Sequence, residues 1–343
     1  MQPLVYFYPD GHAEHRAPGH PERPERVEAI QSALQAAGWW QPYPHLTPSV
    51  LPAEVLHAVH SPAYLSALQL ACRRGGFLDQ DTYVTPASWL LAHRSAGGAA
   101  AVAQAVWRGQ ARRGFALCRP PGHHALRGQG MGFCLLNNIA LAAQSLVLQH
   151  GVQRIAIVDL DLHHGNGTQD IFWQRGDVFF CSVHQAPLYP GTGKLWERGA
   201  GAGEGMTANF PLLPGSGDRA YLAFMDALIL PLLARVAPQI VLVSYGFDAH
   251  WMDPLGNLAL SAGAMGRLVQ RLAAWADDHC EGKLAIVLEG GYDLDAAAAC
   301  SQAVVAALLG TEWCDTLGEA PYPESASWQT RLQEARQLWA LDR

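Results

Sequence analysis

The sequence lacks the features that mark several specialised classes of protein. Its 343 residues hold no internal repeat, no Ser/Gly-rich linker and no apolar run long enough to cross a bilayer, so we expect neither a repeat array nor a membrane partner. No basic stretch followed by a long apolar one opens the chain, so no signal peptide is expected. Only 15% of residues are charged and the net charge is −7, which disfavours nucleic-acid binding.

Signals for a disulfide framework are missing as well. The seven cysteines make an odd number and form no Cys-x-x-Cys pair, which favours reduced thiols in a cytoplasmic protein. Half of the residues are apolar, which is enough for one large core. We therefore predict a single cytoplasmic domain that covers residues 1–343.

Short apolar runs alternate with helical segments along most of the chain. The runs that predict strands lie at 4–8, 115–118, 154–158, 178–183, 240–243 and 284–288. Residues 75–88 and 185–219 are rich in turn formers and are expected to be loops with little regular structure. Strands that alternate with helices predict a mainly parallel sheet covered on both faces.

The most informative stretch follows the strand at 154–158 and reads Asp-Leu-Asp-Leu-His-His-Gly-Asn-Gly-Thr (159–168). Side chains alternate at a strand end, so Asp159, Asp161 and His163 are expected on one side. Two carboxylates and an imidazole there suit a divalent ion of the zinc type. The alternative is that the aspartates cap the next helix. That leaves two charged residues directly after a buried strand without an explanation.

Three other predicted strands also end in polar side chains. His123 and His124 follow the second strand, Asp248 follows the fifth and Tyr292 follows the sixth. The carboxyl ends of parallel strands share one edge of a sheet, so these residues can meet in one crevice. Two carboxylates and one imidazole leave Zn²⁺ an open position for water, imidazoles can move its proton, and a phenol can donate to an oxyanion. The pattern predicts metal-assisted amide hydrolysis.

Five motifs resemble the zinc-dependent histone deacetylase family, which includes bacterial acetylpolyamine amidohydrolases and shares its fold with arginases. They are Arg-Pro-Pro-Gly-His-His (119–124), Gly-Phe-Cys-Leu-Leu-Asn-Asn (132–138), the stretch 159–168, Gly-Phe-Asp-Ala-His (246–250) and Glu-Gly-Gly-Tyr (289–292). Residues 19–26 resemble the class II branch. The resemblance runs from about 5 to about 310 and leaves a helical tail at about 311–343. It implies one three-layer α/β/α domain with a central, mostly parallel sheet of about eight strands.

The resemblance implies a role for each matching position. These positions are Asp161, His163 and Asp248 for one Zn²⁺ per chain; His123, His124, Asp159, Asn166 and Tyr292 for catalysis; Gly132, Phe133, Tyr189 and Leu255 for the substrate; and Ser182 and Val183 for a monovalent cation such as K⁺. Asn166 stands where one branch has aspartate, so His124 should be less basic than in that branch. Arg26 is expected along an inner channel that releases acetate. Asp79 and Asp81 either grip the substrate backbone or are solvated loop acids.

Several functions stay open at this stage. The chain is expected to deacylate acyl-lysine in proteins, peptides or small analogues, or else acetylated polyamines by the same chemistry. A silent acyl-lysine binder would not need the complete set of ligands, histidines and tyrosine, and an arginase-like pair of manganese ions would need more ligands than are evident. Leu255 stands where a polyamine-specific relative has glutamate, which favours acyl-lysine, although Asp253 or Glu204 could replace that charge. A homo-oligomer is left open.

Overall fold

Seven parallel strands form the central sheet in the computed structural model, which describes residues 1–341. Two further short strands, β2 and β3, pair antiparallel beside it. In chain order the strands are β1 (Gln2–Phe7), β2 (Gly76–Phe77), β3 (Tyr83–Val84), β4 (Ala111–Ala116), β5 (Ile155–Asp159), β6 (Val178–Gln185), β7 (Thr207–Leu212), β8 (Ile240–Tyr245) and β9 (Leu284–Leu288). The order across the sheet is β1-β4-β9-β8-β5-β6-β7.

Helices cover both faces of this sheet, which confirms the predicted α/β fold. They are α1 (Glu25–Ala36), α2 (Ala53–Val59), α3 (Pro62–Arg74), α4 (Ser88–Trp107), α5 (Asn138–His150), α6 (Asn166–Phe172), α7 (Asp218–Phe224), α8 (Leu230–Val236), α9 (Ala262–His279), α10 (Leu294–Leu309) and α11 (Trp328–Leu338). A π-helical turn, Met225–Ile229, joins α7 to α8. Among the described residues, no helix is both long and apolar enough to cross a bilayer.

The two segments expected to be loops contain regular structure. Residues 185–219 include β7, which pairs with β6 at the edge of the sheet. The Gly and Pro residues around β7 mask it, because the pairing that forms this strand is not local in sequence. Residues 75–88 include β2 and β3. The sheet has seven strands instead of about eight, and an isolated parallel bridge between Tyr6 and His45 lies beside β1.

The central strands are buried because helices pack on both of their faces. Every residue of β5, β8 and β9 is buried, and aliphatic side chains make up most of each strand. On one face α4 lies close to β1, because Gly98 has no side chain. A Cβ atom at Gly98 would lie 2.2 Å from the ring of Phe7.

The C-terminal tail is tied to the body of the domain by one carboxylate. The side chain of Glu324 accepts the backbone N–H groups of Gly217, Arg219 and Ala220 at 2.8–3.0 Å. These groups begin α7 and have no acceptor within their own helix. Beyond Glu324, α11 packs against α7 and β7.

The connections of the sheet create a crevice at its carboxyl edge. The chain passes from β4 to β5 over the positions that β9 and β8 fill later. From β5 the chain continues outward to β6, whereas from β8 it moves the opposite way to β9. Open α/β sheets hold their sites where the strand order reverses in this way, here between β5 and β8. The carboxyl ends of β4, β9, β8 and β5 therefore face one crevice.

Candidate active site

Three predicted metal ligands meet in this crevice. Asp161 and His163 follow β5, and Asp248 follows β8. The Nδ1 atom of His163 lies 3.3 Å from Oδ1 of Asp161 and 3.2 Å from Oδ2 of Asp248. One ligand atom of each residue lies within 4.8 Å of the others. Within residues 1–341 this is the one group of three such side chains with that geometry.

Backbone N–H groups orient the two carboxylates. Asp161 accepts the N–H groups of His163 at 2.8 Å and Gly290 at 2.9 Å. Asp248 accepts the N–H of Leu162 at 3.1 Å. No side chain caps the start of α6, so the structure does not support the alternative in which the aspartates cap this helix.

The donor set fits a divalent cation of the zinc type. Two buried carboxylates next to each other are costly without a positive charge between them. Burial disfavours a charged His163, but hydrogen bonds to Asp161 and Asp248 raise the pKa of His163 to about 9. A bound cation would take the place of that proton on Nδ1.

Two glycines leave room for the carboxylates. A Cβ atom at Gly246 would lie 1.9 Å from Oδ2 of Asp161, and one at Gly290 would lie 2.1 Å from Oδ2 of Asp248. Real Cβ atoms do not approach oxygen so closely, so any other residue would displace a carboxylate. The space that these glycines leave therefore belongs to the candidate metal site.

Two adjacent histidines flank the ligand set but have different partners. Nδ1 of His123 lies 3.0 Å from Oδ2 of Asp159, and Nδ1 of His124 lies 2.7 Å from Oδ1 of Asn166. Burial disfavours a charge on both rings. The carboxylates of Asp161 and Asp159 nevertheless raise the pKa of His123 to about 10. Burial and the charge of His123 lower the pKa of His124 well below its ordinary value.

Aromatic rings form the walls beside these histidines. The rings of Phe133 and Tyr292 lie 5.6 Å apart, nearly perpendicular, on one side. The ring of Tyr189 lies 5.2 Å from that of His124 and is 39% exposed. Gly132 has a φ of 55°, and a Cβ atom there would lie 2.5 Å from the His124 ring. The structure thus brings Gly132, Phe133 and Tyr189 to the same pocket.

The remaining substrate and cation candidates make other contacts. Leu255 is half-buried and packs against the main hydrophobic cluster. The side chain of Val183 is in that cluster too. The hydroxyl of Ser182 lies 2.9 Å from Nδ1 of His184, and Nε2 of His184 donates to the carbonyl of Gly193. These side-chain contacts do not identify a cation site, so K⁺ stays a prediction.

Arg26 contacts the loop that follows β9 and carries Tyr292 (residues 289–293), which we call the tyrosine loop. Its guanidinium donates to the carbonyl oxygens of Gly291 at 2.5 Å and Glu289 at 2.6 Å. It also lies 4.7 Å from the centre of the Tyr292 ring. Arg26 is fully buried and is paired with Glu22 at 3.2 Å. Its expected place along an inner channel stays a prediction.

One buried acid was missed as a functional candidate. Oε2 of Glu289 accepts the N–H groups of Gly122 at 2.7 Å and His123 at 3.1 Å, and Oε1 accepts the hydroxyl of Ser244 at 2.9 Å. Burial raises the pKa of Glu289 to about 7, against the lowering effect of His123. Its position directly after β9, within Glu-Gly-Gly-Tyr, is the sequence signal that could have identified it.

The chain is similar to known proteins over most of its length. Residues 20–308 match the family model described as the histone deacetylase domain. A "Probable deacetylase" of Archaeoglobus fulgidus is 38% identical over 330 residues, which cover 95% of this chain and 92% of that protein. A "Histone deacetylase-like amidohydrolase" of Pseudomonas aeruginosa is 39% identical over 296 residues, covering 86% and 78%. The solved "Crystal Structure of HDA15 HD domain" matches with a TM-score of 0.89 and 34% identity, covering 98% and 95%.

The shared fold and the names of these relatives show that this chain is a hydrolase of the deacetylase and amidohydrolase class. The chain belongs to the histone deacetylase family.

Proposed function

We propose that this protein is a zinc-dependent deacylase that hydrolyses the amide of acetyl-lysine-type substrates to a free amine and acetate. The observation that carries the proposal is the convergence of Asp161, His163 and Asp248 beside a neutral His124. A Zn²⁺ ion held by these three ligands would lower the pKa of a bound water and polarise the substrate carbonyl.

The two histidines divide the proton chemistry between them. Oδ1 of Asn166 can only accept, so Nδ1 of His124 carries the proton that it shares with Asn166. Nε2 of His124 is then free to take a proton from water and return it to the leaving amine. The carboxylate of Asp159 lies 3.0 Å from Nδ1 of His123 and helps to keep that ring charged. The positive charge of His123 would stabilise the negative charge that develops on the reacting carbonyl.

Tyr292 supplies the oxyanion donor in this scheme. Burial raises the pKa of Tyr292 well above its ordinary value, so the phenol keeps its proton and can donate it in a hydrogen bond. Phe133 and Tyr189 suit the methylene chain of a lysine, and the carbonyl of Gly132 would accept a hydrogen bond from the substrate. Tyr292→Phe is expected to lose about 10²–10³-fold in turnover with the metal retained.

The structure supports acyl-lysine over acetylpolyamine at one position. Asp253, an acid that could have replaced the glutamate missing at Leu255, is buried, and both of its oxygens accept backbone N–H groups. Because it is buried and already holds three backbone N–H groups, Asp253 is poorly accessible to a substrate ammonium. Glu204 is exposed and keeps that role open.

Charged side chains near Tyr292 and Tyr189 also favour an acyl-lysine peptide over an acetylpolyamine. A cavity of about 360 Å³ beside Tyr292 is lined by Arg16, Arg23 and Glu25, among others. Arg16 forms an ion pair with Glu25, so the remaining charge there is that of Arg23. The charges of Asp79 and Asp81 act on Tyr189 on the other wall. A peptide of mixed charge can use both sides, whereas Arg23 disfavours a polyamine. One Zn²⁺ per chain, a K⁺ site at Ser182 and Val183, and a cytoplasmic location stay predictions.

A substrate panel tests the proposal. We expect kcat/KM to be higher for acetyl-lysine peptides than for acetylspermidine and acetylputrescine, and Leu255→Glu to raise the polyamine values. Leu255→Gln is the matched control, because it has the same length without the charge. A preference of the parent for polyamines by more than about tenfold would reverse the assignment. A panel with no turnover in the zinc-loaded protein would revive the silent binder.

A further inference from the structure

One carboxylate joins the two loops that hold opposite sides of the site. Asp253 lies on the loop after β8, which also carries Asp248, and is 4% exposed. Its Oδ2 accepts the backbone N–H of Tyr292 at 2.6 Å and that of Asp293 at 3.2 Å. Its Oδ1 accepts the N–H of Leu255 at 3.0 Å. The bonds to Tyr292 and Asp293 connect the loop after β8 to the tyrosine loop, and the bond to Leu255 orients the carboxylate within its own loop.

The peptide unit before Tyr292 is held at both of its polar atoms. Its carbonyl, on Gly291, accepts from Arg26, and its N–H, on Tyr292, donates to Asp253. Gly291 itself has a φ of 113° and lies so close to Phe247 that a Cβ atom would come within 2.8 Å of that side chain. This loop has no side chain of its own at residue 291 to fix it. The orientation of the peptide therefore depends on its two outside partners.

We propose that Asp253 is a positioning residue that sets the place of the Tyr292 phenol. The proposal rests on the proposed function, because it assumes that Tyr292 donates to the oxyanion. A rotation of the 291–292 peptide would move the Tyr292 side chain away from the reacting carbonyl. Misplacements of about 1 Å at a reacting centre cost up to about 10²-fold in rate.

Only a carboxylate can satisfy all three backbone donors. Its two oxygens face different donors, Leu255 on one side and Tyr292 with Asp293 on the other. An asparagine has one oxygen, so its NH₂ group would face an N–H on one of the two sides. Burial and the charge of Asp248 raise the pKa of Asp253 to about 7, whereas the three backbone N–H groups lower it and so favour the carboxylate form.

A double-mutant cycle separates positioning from a general structural role. Asp253→Asn should lower kcat for an acetyl-lysine peptide by about ten- to a hundredfold, with KM changed by less than about threefold and one metal per chain retained. In the Tyr292→Phe background the same substitution should lower kcat by less than about threefold, because no phenol is left to position.

Asp218→Asn is the matched control. Like Asp253, Asp218 is an aspartate that accepts a backbone N–H from another part of the chain, that of Ser261 at 2.8 Å. Its side-chain partners, Ser261 and Arg267, lie outside the tyrosine loop. Its substitution should lower the thermal midpoint, and its small effect on kcat should be the same with and without the Tyr292 hydroxyl. If Asp253→Asn does not fold, Asp253→Glu replaces it, since the longer carboxylate must shift the Tyr292 backbone and should show the same non-additivity.

The outcomes separate this inference from the function on which it rests. Equal losses from the Asp253 variant in both backgrounds, or an unchanged kcat in the single variant, overturn the positioning role alone. If Tyr292→Phe itself loses less than about tenfold, the oxyanion donor is wrong and the inference fails with it.

Discussion

Nδ1 of His124 lies 2.7 Å from the amide oxygen of Asn166, while the neighbouring His123 has a carboxylate partner instead. The NH₂ group of Asn166 lies 3.5 Å from the sulfur of Met131, so the amide turns its oxygen toward the ring. An amide stabilises an imidazolium less than a carboxylate does. Two adjacent rings in one buried loop can therefore hold different protonation states at neutral pH.

Asn166→Asp is expected to make His124 more basic. The new carboxylate would raise the pKa of His124, which burial now lowers. A base works only when unprotonated, so activity falls as the pH drops through its pKa, and a raised pKa moves the acidic limb of kcat/KM upward by about 1 unit or more. The measurement is the pH profile of kcat/KM.

Gln169→Glu provides the control for that profile. It adds the same charge on the same helix, but Gln169 contacts His164 rather than His124. Its acidic limb should stay within a few tenths of a unit of the parent's. A limb that does not move in Asn166→Asp contradicts the assignment of His124 as the base.

The metal prediction concerns two aspartates with different places in the site. Asp248→Ala should lose both metal and activity, because it removes a ligand. Asp159→Asn should lose activity and keep the metal, because Asp159 contacts His123 and is not in the ligand set. Elemental analysis of the purified proteins measures this directly. Two metal ions per chain in the parent, or a fully active Asp248→Ala, would show that the single-site interpretation is wrong.

Gly246→Ala should lose metal affinity although Gly246 is not a ligand. The added methyl group would fall 1.9 Å from Oδ2 of Asp161, so the carboxylate must move. We expect zinc affinity to fall by about tenfold or more, measured by competition with a chelator. Gly128→Ala serves as the control, since no atom lies within 4 Å of a Cβ there. Equal zinc affinity in the two variants would contradict the role of Gly246.

Acid is expected to destabilise the fold through buried histidines such as His60. Burial lowers the pKa of His60 from 6.5 to about 4, and its ring bridges the carbonyl of Leu126 and the N–H of Asn137. The unfolded chain therefore binds a proton at His60 more tightly than the folded chain does. The contribution of neutral His60 to the free energy of unfolding is complete above pH 6.5 and is lost as the pH falls toward 4. Between about pH 7.5 and 5.5 the loss is roughly 1 kcal/mol for this histidine.

Denaturant unfolding of the metal-free protein at both pH values measures that loss. His60→Gln is the control, because glutamine can also donate to Leu126 and accept from Asn137 but does not titrate. Its free energy of unfolding should depend less on pH by about the same amount. Parallel pH dependences in the two proteins would exclude His60 as a source.

The elements that the sequence predicts well are those that local pattern defines. The run before Asp159 is apolar throughout and mostly β-branched, and it forms β5. In contrast, β7 depends on pairing with β6, which brings Ser182 beside Asn209, and nothing local signals that register. Turn-forming neighbours outweigh the weak strand propensity of such an edge segment.

The contrast between local and non-local signals applies to the candidate site as well. The candidate ligands Asp161, His163 and Asp248 can be found from motifs, because metal ligands must be particular residue types. The partners of backbone N–H groups cannot be found in this way. Glu289 and Asp253 act on the peptide groups of distant loops, and a peptide group is the same in every residue. Only the folded chain shows which N–H each carboxylate accepts.

The three hydrogen bonds that Glu324 accepts limit how far the chain can be shortened from its C-terminal end. A fragment that stops near residue 310, where the tail was expected to begin, would lose the acceptor for the first N–H groups of α7. It would also uncover the face of α7 and β7 on which α11 packs. We therefore expect the shortest autonomous folding unit to extend through α11, and fragments that end after α10 should be less soluble and more sensitive to proteases than the full chain.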